Sequence, residues 1–98
     1  MNNYKPSILQ EDDCCYLCGR RDRKLDRHEV FPGSYRQKCK EDGLWVLLCN
    51  TPCHEGRDGA QYNPVIRKKL AEIAQRRAME VHGWTVADFR SRYGKNYL

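Results

Sequence analysis

The sequence has no long apolar run. No stretch of its 98 residues approaches the roughly 20 consecutive apolar residues that a membrane-spanning helix needs. Residues 1–13, MNNYKPSILQEDD, contain no apolar core of the kind that a secretory signal peptide carries. Internal repeats and low-complexity segments are also missing. These absences exclude a spanning helix, and we expect one small domain in the cytoplasm.

The apolar core of such a chain is small. A domain of this length buries only about two-thirds of its unfolded surface, so a structural staple would add stability. Charge, by contrast, is plentiful: 18 Lys and Arg face 13 Asp and Glu, for a formal net charge of +5. An excess of basic residues favours a polyanionic partner. Nucleic acid is the commonest such partner, although many basic domains bind none.

The six cysteines indicate a metal site. Disulfides are rare in cytosolic proteins, so a secreted disulfide scaffold is the alternative with less support. Cys15 and Cys18 form one knuckle, and Cys49 and Cys53 form a second. Tetrahedral zinc takes four soft ligands, so we expect these four thiolates to hold one structural Zn²⁺ and clip the chain into a loop. Cys14 is an alternative to Cys15, because it would repeat the spacing of the second pair.

Two apolar segments predict a β-hairpin. LDRHEVF at 25–31 and LWVLLC at 44–49 are both typical of strands. Between them, Ser34 and Gln37 fit a capping box, which predicts a short helix through about Glu41. Cys39 then falls inside that helix, where we expect a small buried residue and no metal ligand.

Two helices are predicted in the C-terminal third. Asn63 caps the longer one, Gly83 ends it, and apolar residues recur at helical spacing. These are Ile66, Leu70, Ile73, Ala74 and Val81. A capping box from Thr85 to Asp88 begins a short helix with Phe89 and Tyr93 facing inward and Gly94 at its end. The elements together predict an α+β fold: residues 1–13 form a polar, loosely packed arm, and residues 14–98 form one domain.

A second group of ligand-type residues accompanies the cysteines. His54 directly follows Cys53, and His28 lies in the first strand. If the strands pair, the two imidazoles converge, and Asp58 adds a carboxylate four residues after His54. This combination suits a divalent metal at a site separate from the thiolates, although a solvated or buried histidine is the commoner alternative. His82 is assigned to that alternative, because a cation at a helix C-terminus is favourable on its own account.

Five segments, taken together, resemble the HNH endonucleases with a ββα-metal core, particularly the small phage and prophage members. The segments are CYLCG, RHEVFPG, DGLWVLLC, CHEGRDG and FRSRYGKNYL. The resemblance covers roughly residues 14–98. It implies a zinc-stapled ββα-metal core, and it implies hydrolysis of DNA phosphodiester bonds with Mg²⁺ or Mn²⁺. It also implies a phage or prophage gene and action in the bacterial cytoplasm.

The resemblance implies a role for each matching residue. His28 stands at the first histidine of the family pair, a metal ligand, and Glu29 stands where the general base is usually histidine. His54 and Asp58 match the other ligands, which places His54 in the catalytic centre. The family's central asparagine would fall near Leu44 or Trp45 and is absent. Three interpretations stay open: Glu29 is the base, Glu29 ligates metal while His28 is the base, or the site is impaired.

Arginines near the predicted site are candidates for contacts with DNA phosphates, which their planar donors suit. They are Arg20, Arg21, Arg23, Arg27 and Arg36. A solvated basic surface is the alternative, and it is the better interpretation for Lys68, Lys69, Arg76 and Arg77 on the long helix. Phosphate contacts carry no sequence information, so we expect weak sequence preference.

Two other functions compete with the nuclease. One is a catalytically impaired zinc module that only binds nucleic acid, which the missing asparagine and Glu29 favour. The other is a zinc adaptor for a protein partner, such as phage packaging or replication machinery.

Overall fold

The fold is a mixed α and β arrangement in which a two-stranded antiparallel hairpin packs with helices. The structure is a computed structural model, and it describes residues 4–22, 24–31, 33–49 and 63–98. Within them the elements are β1 (Leu25–Glu29), a 3₁₀ turn (Gly33–Tyr35), α1 (Arg36–Asp42), β2 (Trp45–Cys49), α2 (Pro64–His82) and α3 (Val86–Tyr93). None of the helices in this part of the chain is long and apolar enough to cross a membrane.

The predicted hairpin is confirmed. β1 and β2 pair with Leu25 opposite Cys49 and Glu29 opposite Trp45. Both strands are slightly shorter than the apolar segments suggested, although the Val30 N–H still donates to the Leu44 carbonyl at 3.1 Å. The excursion between the strands is the 3₁₀ turn followed by α1, so the hairpin connection is itself partly helical.

The two faces of the hairpin have different surroundings. Val46 and Leu48 are fully buried and define an inner face towards the core. His28 pairs with Val46 and therefore shares the inner face. Because consecutive strand residues point to opposite sides, Glu29 lies on the other, outer face. The outer face carries Leu25, Arg27, Glu29, Trp45, Leu47 and Cys49.

The core joins the hairpin to the C-terminal helices through aromatic rings. Phe89 and Tyr93 are buried, as predicted, and their ring centroids lie 5.5 Å and 4.9 Å from that of Phe31. From α2 the core takes small side chains together with Leu70. They are Ala71, Ala74 and Ala78. Ile73 and Val81, which the helical spacing assigned to the apolar face, are 42% and 46% exposed.

The helix ends follow their capping signals in two of three cases. Asn63 caps α2 through its side chain, and a complete capping box at Thr85 begins α3. The capping box predicted at Ser34 is wrong. Tyr35 is the N-cap of α1 and makes no side-chain capping bond, because Ser34 lies inside the preceding 3₁₀ turn. Gly43 ends α1 in the left-handed conformation, with φ of 74°.

The N-terminal segment (residues 4–16) covers the free edge of β2. The Ser7 hydroxyl donates to the Trp45 carbonyl at 2.6 Å, and the Gln10 side-chain oxygen accepts from the Leu47 N–H at 2.6 Å. An open strand edge exposes unpaired N–H and C=O groups, and these bonds satisfy them. The expectation of a loosely packed arm is therefore wrong for this segment, whose polar side chains replace a third strand.

A buried carboxylate joins α1 to α3. Asp42 is 7% exposed and accepts hydrogen bonds from Arg92 Nε at 2.5 Å, Arg92 Nη2 at 3.0 Å and the Tyr93 hydroxyl at 2.6 Å. Burial, and then the bond to Asp42, raises the pKa of Tyr93 far above its usual range. A carboxylate at a helix C-terminus opposes the helix dipole, and the bidentate guanidinium offsets that cost.

Candidate metal centre and nucleic-acid interface

Three cysteines meet where the first knuckle approaches the end of β2. The sulfur atoms of Cys15, Cys18 and Cys49 all lie within 4.8 Å of one another, and Cys18 Sγ is 3.8 Å from Cys49 Sγ. A disulfide would need about 2.05 Å, so these sulfur atoms are not joined by one. Zinc–sulfur bonds of about 2.3 Å in a tetrahedron give sulfur–sulfur edges of about 3.8 Å. The cluster could therefore hold a metal ion with little rearrangement.

The turn that presents the first two cysteines has a local cause. The Gly19 N–H donates to the Cys15 carbonyl at 2.8 Å, and the Cys18 N–H points at Cys15 Sγ at 3.5 Å. Gly19 has φ of 77°, a conformation that a side chain would strain. The turn is thus encoded in the sequence CYLCG, as the spacing predicted. Cys49 reaches the same point because it is the last residue of β2.

The surroundings of Cys15 favour its thiolate. Burial raises the pKa of this thiol, but backbone N–H groups of Cys49, Cys18 and Leu17 stabilise the anion. The net effect lowers the pKa of Cys15 to about 6. The thiolate is the form that binds metal, so Cys15 is prepared for that role at neutral pH.

The structure distinguishes the cysteines of the cluster from the other cysteines that it describes. Cys15 is 1% exposed and belongs to the cluster, whereas Cys14 is half-buried and belongs to no such group among the described residues. Cys39 is fully buried in α1, and its sulfur contacts the Phe31 carbonyl at 3.4 Å. Burial raises the pKa of Cys39 to about 12, so it stays a thiol. Cys53, the predicted fourth ligand, lies outside the described residues.

His28 is the one residue of the predicted catalytic metal site that the structure describes. It is half-buried on the inner face, opposite Val46. Three strand residues, about 10 Å, separate this register position from Cys49, so His28 belongs to a location distinct from the thiolates. His54 and Asp58 lie outside the described residues, and their convergence on His28 stays a prediction.

Glu29 has a partner that the sequence did not suggest. Its carboxylate is 7% exposed on the outer face and accepts a hydrogen bond of 2.5 Å from the Tyr4 hydroxyl. Burial, then the hydrogen bond and the charge of Glu29, raises the pKa of Tyr4 to about 12, while Arg27 and Arg36 oppose the shift. Adjacent in sequence, His28 and Glu29 face opposite sides of the hairpin.

Of the candidate DNA-binding arginines that the structure describes, Arg27 lies in β1, Arg36 begins α1, and Arg20 and Arg21 precede β1. Arg20, Arg21, Arg27 and Arg36 are exposed, and Arg23 lies outside the described residues. Arg21 approaches Asp12 at 4.0 Å, but both side chains are well exposed and such a pair contributes little. Arg27 differs from the others because its guanidinium lies over two aromatic rings.

Comparisons of the chain with protein-family models, with curated proteins and with solved structures gave no match. The resemblance to the HNH endonucleases rests on the five sequence segments.

Proposed function

We propose that the protein is a zinc-stapled, metal-dependent DNA endonuclease. The observation that carries the proposal is the preformed cluster of Cys15, Cys18 and Cys49, which ties the first knuckle to the end of β2. Four residues beyond that point the sequence continues with Cys53 and His54. The element that completes the zinc site therefore also fixes the start of the proposed catalytic segment.

Zinc suits the cluster because all three ligands are soft sulfur atoms, and the Cys18–Cys49 separation of 3.8 Å matches the edge of a zinc–sulfur tetrahedron. Cys53 supplies the fourth ligand in this proposal, since it follows Cys49 at knuckle spacing. Four thiolates and one Zn²⁺ change the formal charge from +5 to about +3, so the protein stays basic and suited to DNA.

The catalytic centre would use His28, His54 and Asp58 to hold Mg²⁺ or Mn²⁺. A bound divalent ion would supply electrostatic stabilisation of the phosphate and the leaving oxygen. His28 contributes from the inner face of β1. Glu29 faces the side of the hairpin opposite to His28 and accepts a hydrogen bond from Tyr4, an orientation that does not support the interpretation of Glu29 as the base. The geometry favours a supporting role in which Glu29 anchors the N-terminal segment.

Nicking of a supercoiled plasmid tests the proposal. Zinc-loaded protein is assayed with Mg²⁺, with Mn²⁺ and without added divalent metal, beside His54→Ala. His82→Ala is the matched control, because His82 ends α2 and its ring contacts the Asp42 carbonyl at 3.1 Å, outside the proposed centre. We expect metal-dependent nicking that His54→Ala abolishes and His82→Ala retains. Equal nicking by both variants would contradict the proposal.

A nucleic-acid-binding module without catalysis is the second candidate. Its supporting observation is that Glu29, at the position of the family base, is engaged by Tyr4 and turned away from His28. A protein adaptor for packaging or replication machinery is a third. Replacing Arg20, Arg21 and Arg23 with glutamine tests the adaptor against both nucleic-acid functions: we expect DNA affinity and its salt dependence to fall for either of the latter, and no such loss for an adaptor.

A further inference from the structure

We propose that Arg27, held in a corner between the rings of Tyr4 and Trp45, binds the phosphate backbone of DNA on the outer face of the hairpin. Arg36 and Lys40 border the same corner, and these five residues are named the braced-arginine patch. The inference rests on the proposed function in taking DNA as the partner. It assigns the contact to one structural device and does not depend on catalysis.

Arg27 is exposed and lies close to both rings. Arg27 Cζ lies 4.5 Å from the centroid of the Tyr4 ring and 5.4 Å from that of Trp45, within the range of cation–π attraction. The two rings are 5.3 Å apart and nearly perpendicular, at 77°. Because the rings are nearly perpendicular, at most one of them can stack on the guanidinium face, and such stacking leaves N–H donors in the guanidinium plane for a phosphate to accept.

The rings are fixed by bonds of their own. The Tyr4 hydroxyl donates to Glu29, and Trp45 Nε1 donates to the Lys5 carbonyl at 2.8 Å. Their polar atoms are therefore satisfied inside the protein. An exposed arginine commonly loses side-chain entropy when it binds, and a side chain that is already held loses less. This gives Arg27 an advantage over the other exposed arginines.

The charge around the corner favours a polyanion. Lys40 Nζ lies 5.2 Å from the Tyr4 centroid, and Arg36 is close enough for its charge to lower the pKa of Tyr4. Arg27 and Lys40 thus lie against the Tyr4 ring, and the neighbouring carboxylate, Glu29, is buried and accepts the Tyr4 hydroxyl. A regular row of phosphates matches this excess of positive charge at the surface.

Fluorescence anisotropy with a labelled 20-base-pair duplex tests the patch. The zinc-loaded full chain is titrated without Mg²⁺, so that no cleavage intervenes, from 50 to 300 mM KCl. Arg27→Lys keeps the charge and loses the planar fork. We expect about fivefold to tenfold weaker binding, with a similar slope of log affinity against log salt concentration. Arg27→Gln should lower the slope by about one. Tyr4→Leu removes a bracing ring without changing charge and should weaken binding several-fold.

Arg76→Lys is the matched control on the exposed side of α2 and should bind within twofold of the unaltered protein. Zinc content and thermal melting establish that each variant is folded. Unchanged binding by Arg27→Lys and Arg27→Gln, equal loss in Arg76→Lys, or no binding of the duplex at all would overturn the proposal. Displacement by polyglutamate as readily as by DNA would also overturn it, in favour of an acidic protein partner.

The plasmid assay keeps the two proposals distinguishable. A protein that nicks DNA but binds through other residues refutes the patch alone. A protein that binds through Arg27 and never nicks refutes the nuclease alone.

Discussion

Adjacent cysteines with different roles allow a direct test of the zinc staple. Cys15→Ser should weaken or abolish zinc binding, because a hydroxyl is a poor substitute for a buried thiolate ligand. Cys14→Ser changes the same atom one residue earlier, outside the sulfur cluster. The two variants have the same composition, so any difference between them distinguishes a metal ligand from its neighbour in the chain.

The length of the loop that the zinc site closes determines how much stability zinc should contribute. A cross-link from Cys18 to Cys49 encloses about 32 residues, and the chain-entropy relation used for disulfides gives about 3.7 kcal/mol at 25 °C for such a loop. If zinc is lost, we expect about 3–4 kcal/mol of stability to be lost with it. For a domain of this size that corresponds to a decrease of roughly 15–25 °C in Tm. Cys14→Ser should change the stability by less than about 0.5 kcal/mol.

Native mass spectrometry and thermal melting measure the two effects together. We expect one Zn²⁺ per chain in the unaltered protein and in Cys14→Ser, and a low-melting, zinc-depleted Cys15→Ser. Chelation of the unaltered protein should reproduce the melting of Cys15→Ser. Full zinc occupancy and an unchanged Tm in Cys15→Ser, or the loss appearing in Cys14→Ser instead, would refute the assignment.

Two further predictions concern buried groups. Asp42→Ala removes the acceptor of Arg92 and Tyr93 and should cost about 3 kcal/mol in chemical denaturation, whereas Glu41→Ala, at an exposed contact with Arg92, should cost less than about 0.5 kcal/mol. Similar costs for both would contradict the network. Cys39, with its pKa raised to about 12, should resist iodoacetamide at pH 8.5, while the half-buried Cys14 reacts, as read by peptide mass spectrometry. The contribution of the buried, protonated Cys39 thiol to stability is complete below the ordinary thiol pKa and is lost as the pH rises through about 12. Labelling of Cys39 in the folded protein at pH 8.5 would refute its burial.

Local signals in the sequence were sufficient for the turn at Cys15–Cys18, for the starts of α2 and α3, and for β2. The glycine after Cys18, the cap at Asn63 and the capping box at Thr85 each act within a few residues, and the structure forms all three. The apolar run that ends at Cys49 predicted β2 because a buried strand needs such residues on its inner face. These are short-range rules, and the sequence states them directly.

The features that could not be predicted from the sequence depend on contacts between residues distant in the chain. Tyr4 and Glu29 are 25 residues apart, and nothing local indicates that a polar segment at the N-terminus will cover the edge of β2. Val81 shows the same limit for α2, since helical spacing defines a possible apolar face but the packing partner decides which residues it buries. The side of the hairpin that His28 and Glu29 each occupy likewise depends on the register with β2.

We propose above that His28 belongs to a catalytic metal centre on a zinc-stapled hairpin. The most direct measurement is the single-turnover nicking rate of zinc-loaded protein in Mn²⁺, compared with that of His28→Ala at equal zinc content. We expect metal-dependent nicking by the unaltered protein and a loss of at least about 100-fold in the variant. A rate that His28→Ala leaves unchanged, or no nicking by the zinc-loaded protein with either metal, would contradict it.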